Sequence, residues 1–127
     1  MIKGVLRKKV DGFKLDNFPS RFYIMDFQRA VIVIKYDRFD KDSDPNIKVI
    51  NFRDIDDCYL PKEKHEDDMR ANAHEDFPNP FLLKTKERIF ELYASLKQER
   101  EMWMNAFKYV CKSTKVVQSL IHQNDSS

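Results

Sequence analysis

The sequence predicts a mainly β domain in which a bent antiparallel sheet is closed by one C-terminal helix. Three observations carry this. Strand-like runs alternate with turn signals through the first half. A further hairpin follows a charged, proline-punctuated segment. The last third then carries an apolar stripe at helical spacing that includes the only tryptophan, Trp103. A chain of 127 residues is enough for one core and too short for two. With 42% hydrophobic and 35% charged residues it falls in the globular class.

The elements follow in order. Ile2 to Lys8 has β character, and Asp11-Gly12 and Asn17-Phe18-Pro19-Ser20 break the chain after it. Arg21 to Met25 is a second strand, joined by the short Asp26–Arg29 connection to Ala30–Tyr36, whose β-branched run favours strand over helix. Asp37 to Asn46 is an acidic turn. Ile47 to Phe52 and Ile55 to Leu60 supply two more strands. Residues 61–80 are polar and charged, and predict a long exposed loop with a short helical turn over Asp67 to Ala73. Phe81–Thr85 and Arg88–Ala94 make a hairpin across Lys86-Glu87, with Phe90, Leu92 and Ala94 on one face.

Ser95 has the character of an N-cap, with Gln98 in the capping-box position. Trp103, Ala106, Phe107, Val110 and Cys111 then step at three and four, and the stripe extends toward Val117, Leu120 and Ile121. The division expected is a domain over 1–111, followed by a helix extension and polar tail over 112–127.

Three stretches resemble the pleckstrin homology (PH) family. Gly4-Val5-Leu6-Arg7-Lys8 is similar to the glycine–x–leucine–x–lysine opening of its first strand. Arg21-Phe22-Tyr23-Ile24 is similar to its basic-then-aromatic second strand. Phe90-Glu91-Leu92-Tyr93-Ala94, then Glu99 to Phe107 around Trp103, resembles its last strand and capping helix. The resemblance implies a seven-stranded bent barrel capped by the helix, with Trp103, Phe107, Leu92 and Phe90 as core residues that mark the fold. Loss of the Trp103 ring is expected to cost about 3–5 kcal/mol.

Charge is unevenly spread. Residues 1–36 hold eight basic side chains against three acidic, residues 37–80 seven against thirteen, and residues 81–127 eight against five. Such a dipolar chain orients on an anionic surface even though its net charge is only +2. No nucleophile elbow or zinc-helix pattern is present, and two glycines cannot build a phosphate-cradling loop. The chain is therefore expected to be no enzyme and to need no cofactor. His65 with Glu66, Asp67 and Asp68, and His74 with Glu75 and Asp76, read as a solvated charge run rather than a metal site. No basic stripe with interleaved aromatics suggests nucleic acid. Cys58 and Cys111 lack metal or redox spacing and read as free thiols, which points to a reducing, cytoplasmic setting; the resemblance adds the expectation of peripheral membrane or cytoskeletal association. No apolar run approaches the length of a transmembrane segment.

In lipid-binding members the resemblance implies a lysine late in the first strand and a basic–x–arginine pair opening the second. Here Lys8 and Arg21 fill the outer positions and Pro19 stands in the middle one. Lys9, Lys14 and Lys35 complete the candidate set for phosphoinositide or other anionic phospholipid headgroups, since phosphates need converging cations. The alternative is a protein partner, docked without lipid on the acidic loops and the helix extension.

Overall fold

The computed structural model describes residues 1–9, 19–37, 41 and 45–125, the side chains of 116–119 and 121–125 excepted. Seven strands form one antiparallel sheet: β1 Ile2–Lys8, β2 Ser20–Asp26, β3 Val31–Lys35, β4 Lys48–Asn51, β5 Ile55–Tyr59, β6 Asn79–Thr85 and β7 Ile89–Ala94. The sheet order is β4-β3-β2-β1-β7-β6-β5, so β4 and β5 are its two edges. The sheet is bent and not closed. A 3-10 turn, Phe52–Asp54, carries the chain between those edges. The helix α2, Lys97–Asp125, packs against β5, β6 and β7. The predicted fold class is borne out.

Side chains alternate across each strand, and one face of every strand points into the bend. That inward face contributes Leu6, Tyr23, Met25, Ile32, Ile34, Phe81, Leu83, Leu92 and Ala94 to the main core. In β5 both Ile55 and Cys58 reach it, although their spacing is odd. A register shift between Ile55 and Asp57 resolves this, because one extra residue restores the inward aim. From α2 come Trp103, Met104, Ala106, Phe107, Val110 and Cys111, so the helical stripe read from the sequence is the buried one. Further along, Leu120 is exposed, and the side chains of Val117 and Ile121 lie outside the described residues.

Trp103 is 1% exposed and lies between Tyr23, edge-on at 6.4 Å, and Phe107, stacked at 5.9 Å. Its indole crowds β1 at Gly4, where a methyl group would require the ring to give by a few tenths of an ångström. A Cβ placed on Gly4 would sit 3.3 Å from the indole Cζ2 and Nε1. The helix thus closes one end of the barrel through a glycine-sized gap.

The segment 61–80 departs from the expected exposed loop. Glu63–Asn72 is a ten-residue helix, α1, and begins four residues before the predicted turn. Its charged composition masks how few apolar anchors it needs. Met69, with Ala73 and Phe77 beyond the helix, packs on Leu82, Tyr93 and Tyr59 on the outer face of β5–β7. Arg100, buried on α2, reaches across to Glu66 at 3.1 Å and to the Pro80 carbonyl at 3.3 Å. A buried guanidinium needs such a partner. His65 and His74 are likewise engaged: His65 Nε2 is 3.5 Å from Glu91, and the Asp76 N–H donates to His74 Nδ1. Among the described residues, no group of three histidine, cysteine or acidic side chains is placed to hold a metal ion.

The start of α2 also differs in detail. The Arg100 N–H donates to the Leu96 carbonyl, and the Ser95 hydroxyl donates to the Glu99 carboxylate at 2.6 Å, so Glu99 rather than Gln98 is its partner. Both cysteines are free and buried, and burial pushes the Cys58 thiol up to about 12. Among the described residues no helix is long and apolar enough to cross a membrane.

Gly4→Ala is expected to destabilise the domain by about 1–2 kcal/mol, because the enclosed indole has little room to yield. Trp103→Ala is expected to cost about 3–5 kcal/mol. Urea unfolding followed by circular dichroism measures both. A Gly4→Ala variant as stable as the parent would show that the indole yields.

Candidate anion-binding site

At the end of the barrel away from Trp103, the inward face of the strands changes character. On β1 the inward series Ile2, Gly4, Leu6 ends in Lys8. On β2, Met25 and Tyr23 are followed by Arg21. On β3, Ile32 and Ile34 lead to Tyr36 just past the strand, and on β4 Ile50 is followed by Lys48. On β7 the series Ala94, Leu92 leads to Phe90, with Arg88 in the turn before it. Each strand keeps its alternation, yet its last inward residue is a cation or an aromatic ring. Antiparallel pairing staggers these ends, with Lys48 opposite Ile34, Arg21 opposite Leu6 and Lys8 opposite Leu92, and the bend of the sheet gathers them around its open mouth.

Two clefts meet at this mouth. One, of about 110 Å³, is lined by Lys8, Pro19, Arg21, Tyr23, Tyr36 and Lys48 among others. The second, of about 420 Å³, adds Lys9, Arg88, Phe90 and Glu91. Lys8 and Lys48 line both. Aromatic faces hold the cations in place: Arg21 lies 4.0 Å from the centroid of Tyr36, and Lys8 and Arg88 lie 4.4 Å and 5.0 Å from that of Phe90. The Arg21 Nη1 also donates to the Ser20 carbonyl at 2.8 Å.

The electrostatics follow from this crowding. The Lys8 ammonium is lowered to about 8, first by burial and then by the charges of Lys48, Arg88 and Arg21. The Phe90 ring, shared by Lys8 and Arg88, favours the charged form of both. Tyr23, 2% exposed, lines the first cleft, and its buried hydroxyl has no hydrogen-bond partner among the described residues. Burial pushes that phenol upward, so it stays protonated as a donor.

The residues expected from sequence are not all together. Lys8 and Arg21 are in the mouth. Lys9 borders the second cleft but pairs with Glu91 at 3.5 Å. Lys35 is buried on the face of β3 opposite Ile34, paired across to Phe22, and so belongs to the outside of the sheet. Its place late in β3 drew attention in the sequence, but strand parity turns it away. Lys14 lies outside the described residues. Phe90 is half-buried at the mouth rather than deep in the core, whereas Leu92, Trp103 and Phe107 are fully buried. Pro19 occupies its expected place beside the cleft, and its carbonyl accepts the Lys8 N–H at 3.2 Å. Sequence reading missed Lys48 and Arg88. Lys48 falls two residues before Ile50 in an alternating strand, which is the signal that would have found it.

A family model for the PH domain matches residues 1–112. No curated protein matches the sequence closely enough to count as a relative. Among solved structures, the human PH domain of oxysterol binding protein-related protein 11 superposes with a TM-score of 0.64 at 11% identity, over 91% of this chain and 83% of that one. The human PH domain of TBC1 domain family member 2 gives 0.60 at 17% identity, over 88% and 81%. The N-terminal PH domain of human ARAP2 gives 0.59 at 18%, over 88% and 79%. At these identities the likeness speaks to fold. With its sheet order, its helix and the match over residues 1–112, the chain belongs to the PH domain family, whose members bind phosphoinositides or proteins and are in general not enzymes.

Proposed function

We propose that this domain attaches to anionic membrane surfaces by taking a phosphorylated lipid headgroup, a phosphoinositide or a related anionic phospholipid, into its basic mouth. The observation that carries this reading is the convergence of Lys8, Arg21, Lys48 and Arg88 on one pair of clefts, with the Lys8 ammonium pressed toward neutrality first by burial and then by the other three. Crowded like charges oppose folding, and a phosphate relieves that opposition with charge-assisted hydrogen bonds. The orphan hydroxyl of Tyr23 supports the same reading, because it lies unpaired beneath the first cleft and a small shift of the ring on headgroup entry brings it into reach as a donor. Pro19 in place of a third signature cation favours modest affinity and electrostatic attraction over tight headgroup selection. Lys48 and Arg88 supply charge from other strands.

Sedimentation with phosphatidylcholine vesicles doped with phosphatidylinositol bisphosphate at low salt is expected to show binding. Lys8→Ala with Arg21→Ala is expected to remove about 2 kcal/mol, roughly thirtyfold in affinity. Lys97→Ala, exposed at the start of α2 and lining neither cleft, is expected to change little. Absence of binding by the parent would overturn the reading. Binding unchanged by the double variant would move the site elsewhere.

Tyr23→Phe is expected to leave the melting temperature unchanged or slightly raised, since a buried unpaired hydroxyl is a cost in the free protein. The same change is expected to weaken inositol trisphosphate binding several-fold by calorimetry. Equal affinity would exclude the hydroxyl from the site.

A further inference from the structure

Lys8 differs from the other lysines around the mouth in the company it keeps. Lys9 is held by Glu91 and Lys48 is exposed, whereas Lys8 is half-buried and lines both clefts. The groups around it come from every neighbouring element. Arg21 and Tyr23 come from β2, Tyr36 from the end of β3, and Lys48 from β4. Arg88 comes from the β6–β7 turn, with Phe90 and Glu91 from β7. Of these Glu91 is the one acid, and its two carboxylate oxygens are taken by Lys9 and His65. The result is a primary amine beside an anion seat, with no carboxylate lining the two clefts, among the described residues, other than the engaged Glu91.

We infer that Lys8 is a covalent modification site, acylated by acyl phosphates whose phosphoryl group is seated by Arg21, Lys48 and Arg88 while the acyl carbon faces the Lys8 nitrogen. The inference rests on the anion-binding reading above. The neutral amine attacks the acyl carbon with its lone pair and a C–N bond forms. The bond from that carbon to the phosphate oxygen breaks, and inorganic phosphate leaves with the electron pair. The nitrogen loses one proton to solvent, and nothing is oxidised or reduced.

The acid–base state of Lys8 supports the chemistry. With its ammonium lowered to about 8, about one-fifth of Lys8 is neutral at pH 7.4, against about 0.1% of an ordinary lysine. A less basic amine is a weaker nucleophile, which takes back roughly tenfold of that roughly two-hundredfold gain. The seat for phosphate adds local concentration. The product amide carries no charge, so acylation removes one cation from the mouth and weakens its hold on anions. Modification and membrane attachment therefore oppose each other.

The test is peptide mass spectrometry of the full chain treated with acetyl phosphate at pH 7.5 and low salt, with calorimetric inositol trisphosphate binding measured on the same preparation. Lys8 is expected to acetylate roughly tenfold or more faster than the exposed Lys3, Lys62 and Lys97. Inositol trisphosphate is expected to slow Lys8 alone. Arg21→Gln with Lys48→Gln is expected to reduce acetylation by acetyl phosphate more than acetylation by the uncharged phenyl acetate. Intact inositol phosphate binding with no preference for Lys8 would overturn this inference and leave the membrane reading standing. Loss of both would overturn the two together. A Lys8 preference unaffected by inositol trisphosphate would overturn the phosphate seat.

Discussion

The packing of Trp103 over Gly4 is the contact on which the rest of the structure depends. It seats α2 against β1 and closes one end of a sheet whose edges, β4 and β5, do not pair with each other. A bent sheet plugged at one end leaves the other end open. Alternation then obliges every strand to present its inward residues at that open end as well as in the core. The sequence uses apolar side chains where the helix covers them and Lys8, Arg21 and Lys48 where nothing does. Fold and candidate site are two ends of one stripe.

That arrangement sets the electrostatics. Cations on a convex surface lie far apart and are screened by water, but those on the inside of a bend converge. Lys8 bears most of the consequence because it lines both clefts and, unlike Lys48, is half-buried. Aromatic rings at Tyr36 and Phe90 keep the cations extended over the mouth instead of folding back on carboxylates. The acidic excess of residues 37–80 is spent partly elsewhere: Glu66 holds Arg100 and Arg70 on the opposite side of β6 and β7, and α1 covers that face. The dipolar charge seen in the sequence is thus sorted by strand parity and by one added helix.

Much of this was legible in the sequence. β-branched runs, Gly and Pro punctuation and a helical stripe gave strand order and helix face directly, because each is a local consequence of side-chain shape. Lys8 and Arg21 were legible through the likeness of their surroundings to a known family. Lys48 and Arg88 were not, since nothing local marks a lysine as inward until the strand's partners fix its register. The same reason misplaced Lys35, one residue from inward-facing Ile34 and on the other side of the sheet. The helix α1 was hidden by its charge, as Met69 alone is its buried apolar residue and its anchoring comes from Arg100, thirty-four residues away from Glu66.

The central claim is that the mouth is a seat for an anion, held open at the cost of crowding Lys8. An NMR titration of the Lys8 side chain, followed at its Cε with and without inositol trisphosphate, tests it most directly. In the free protein the folded-state value lies below the ordinary one, so the proton is lost near pH 8 rather than 10.5. A bound anion favours the ammonium, so the midpoint is expected to rise, with proton uptake on binding between those values. A free-protein midpoint near 10.5, or one near 8 that inositol trisphosphate leaves unmoved, would contradict the account.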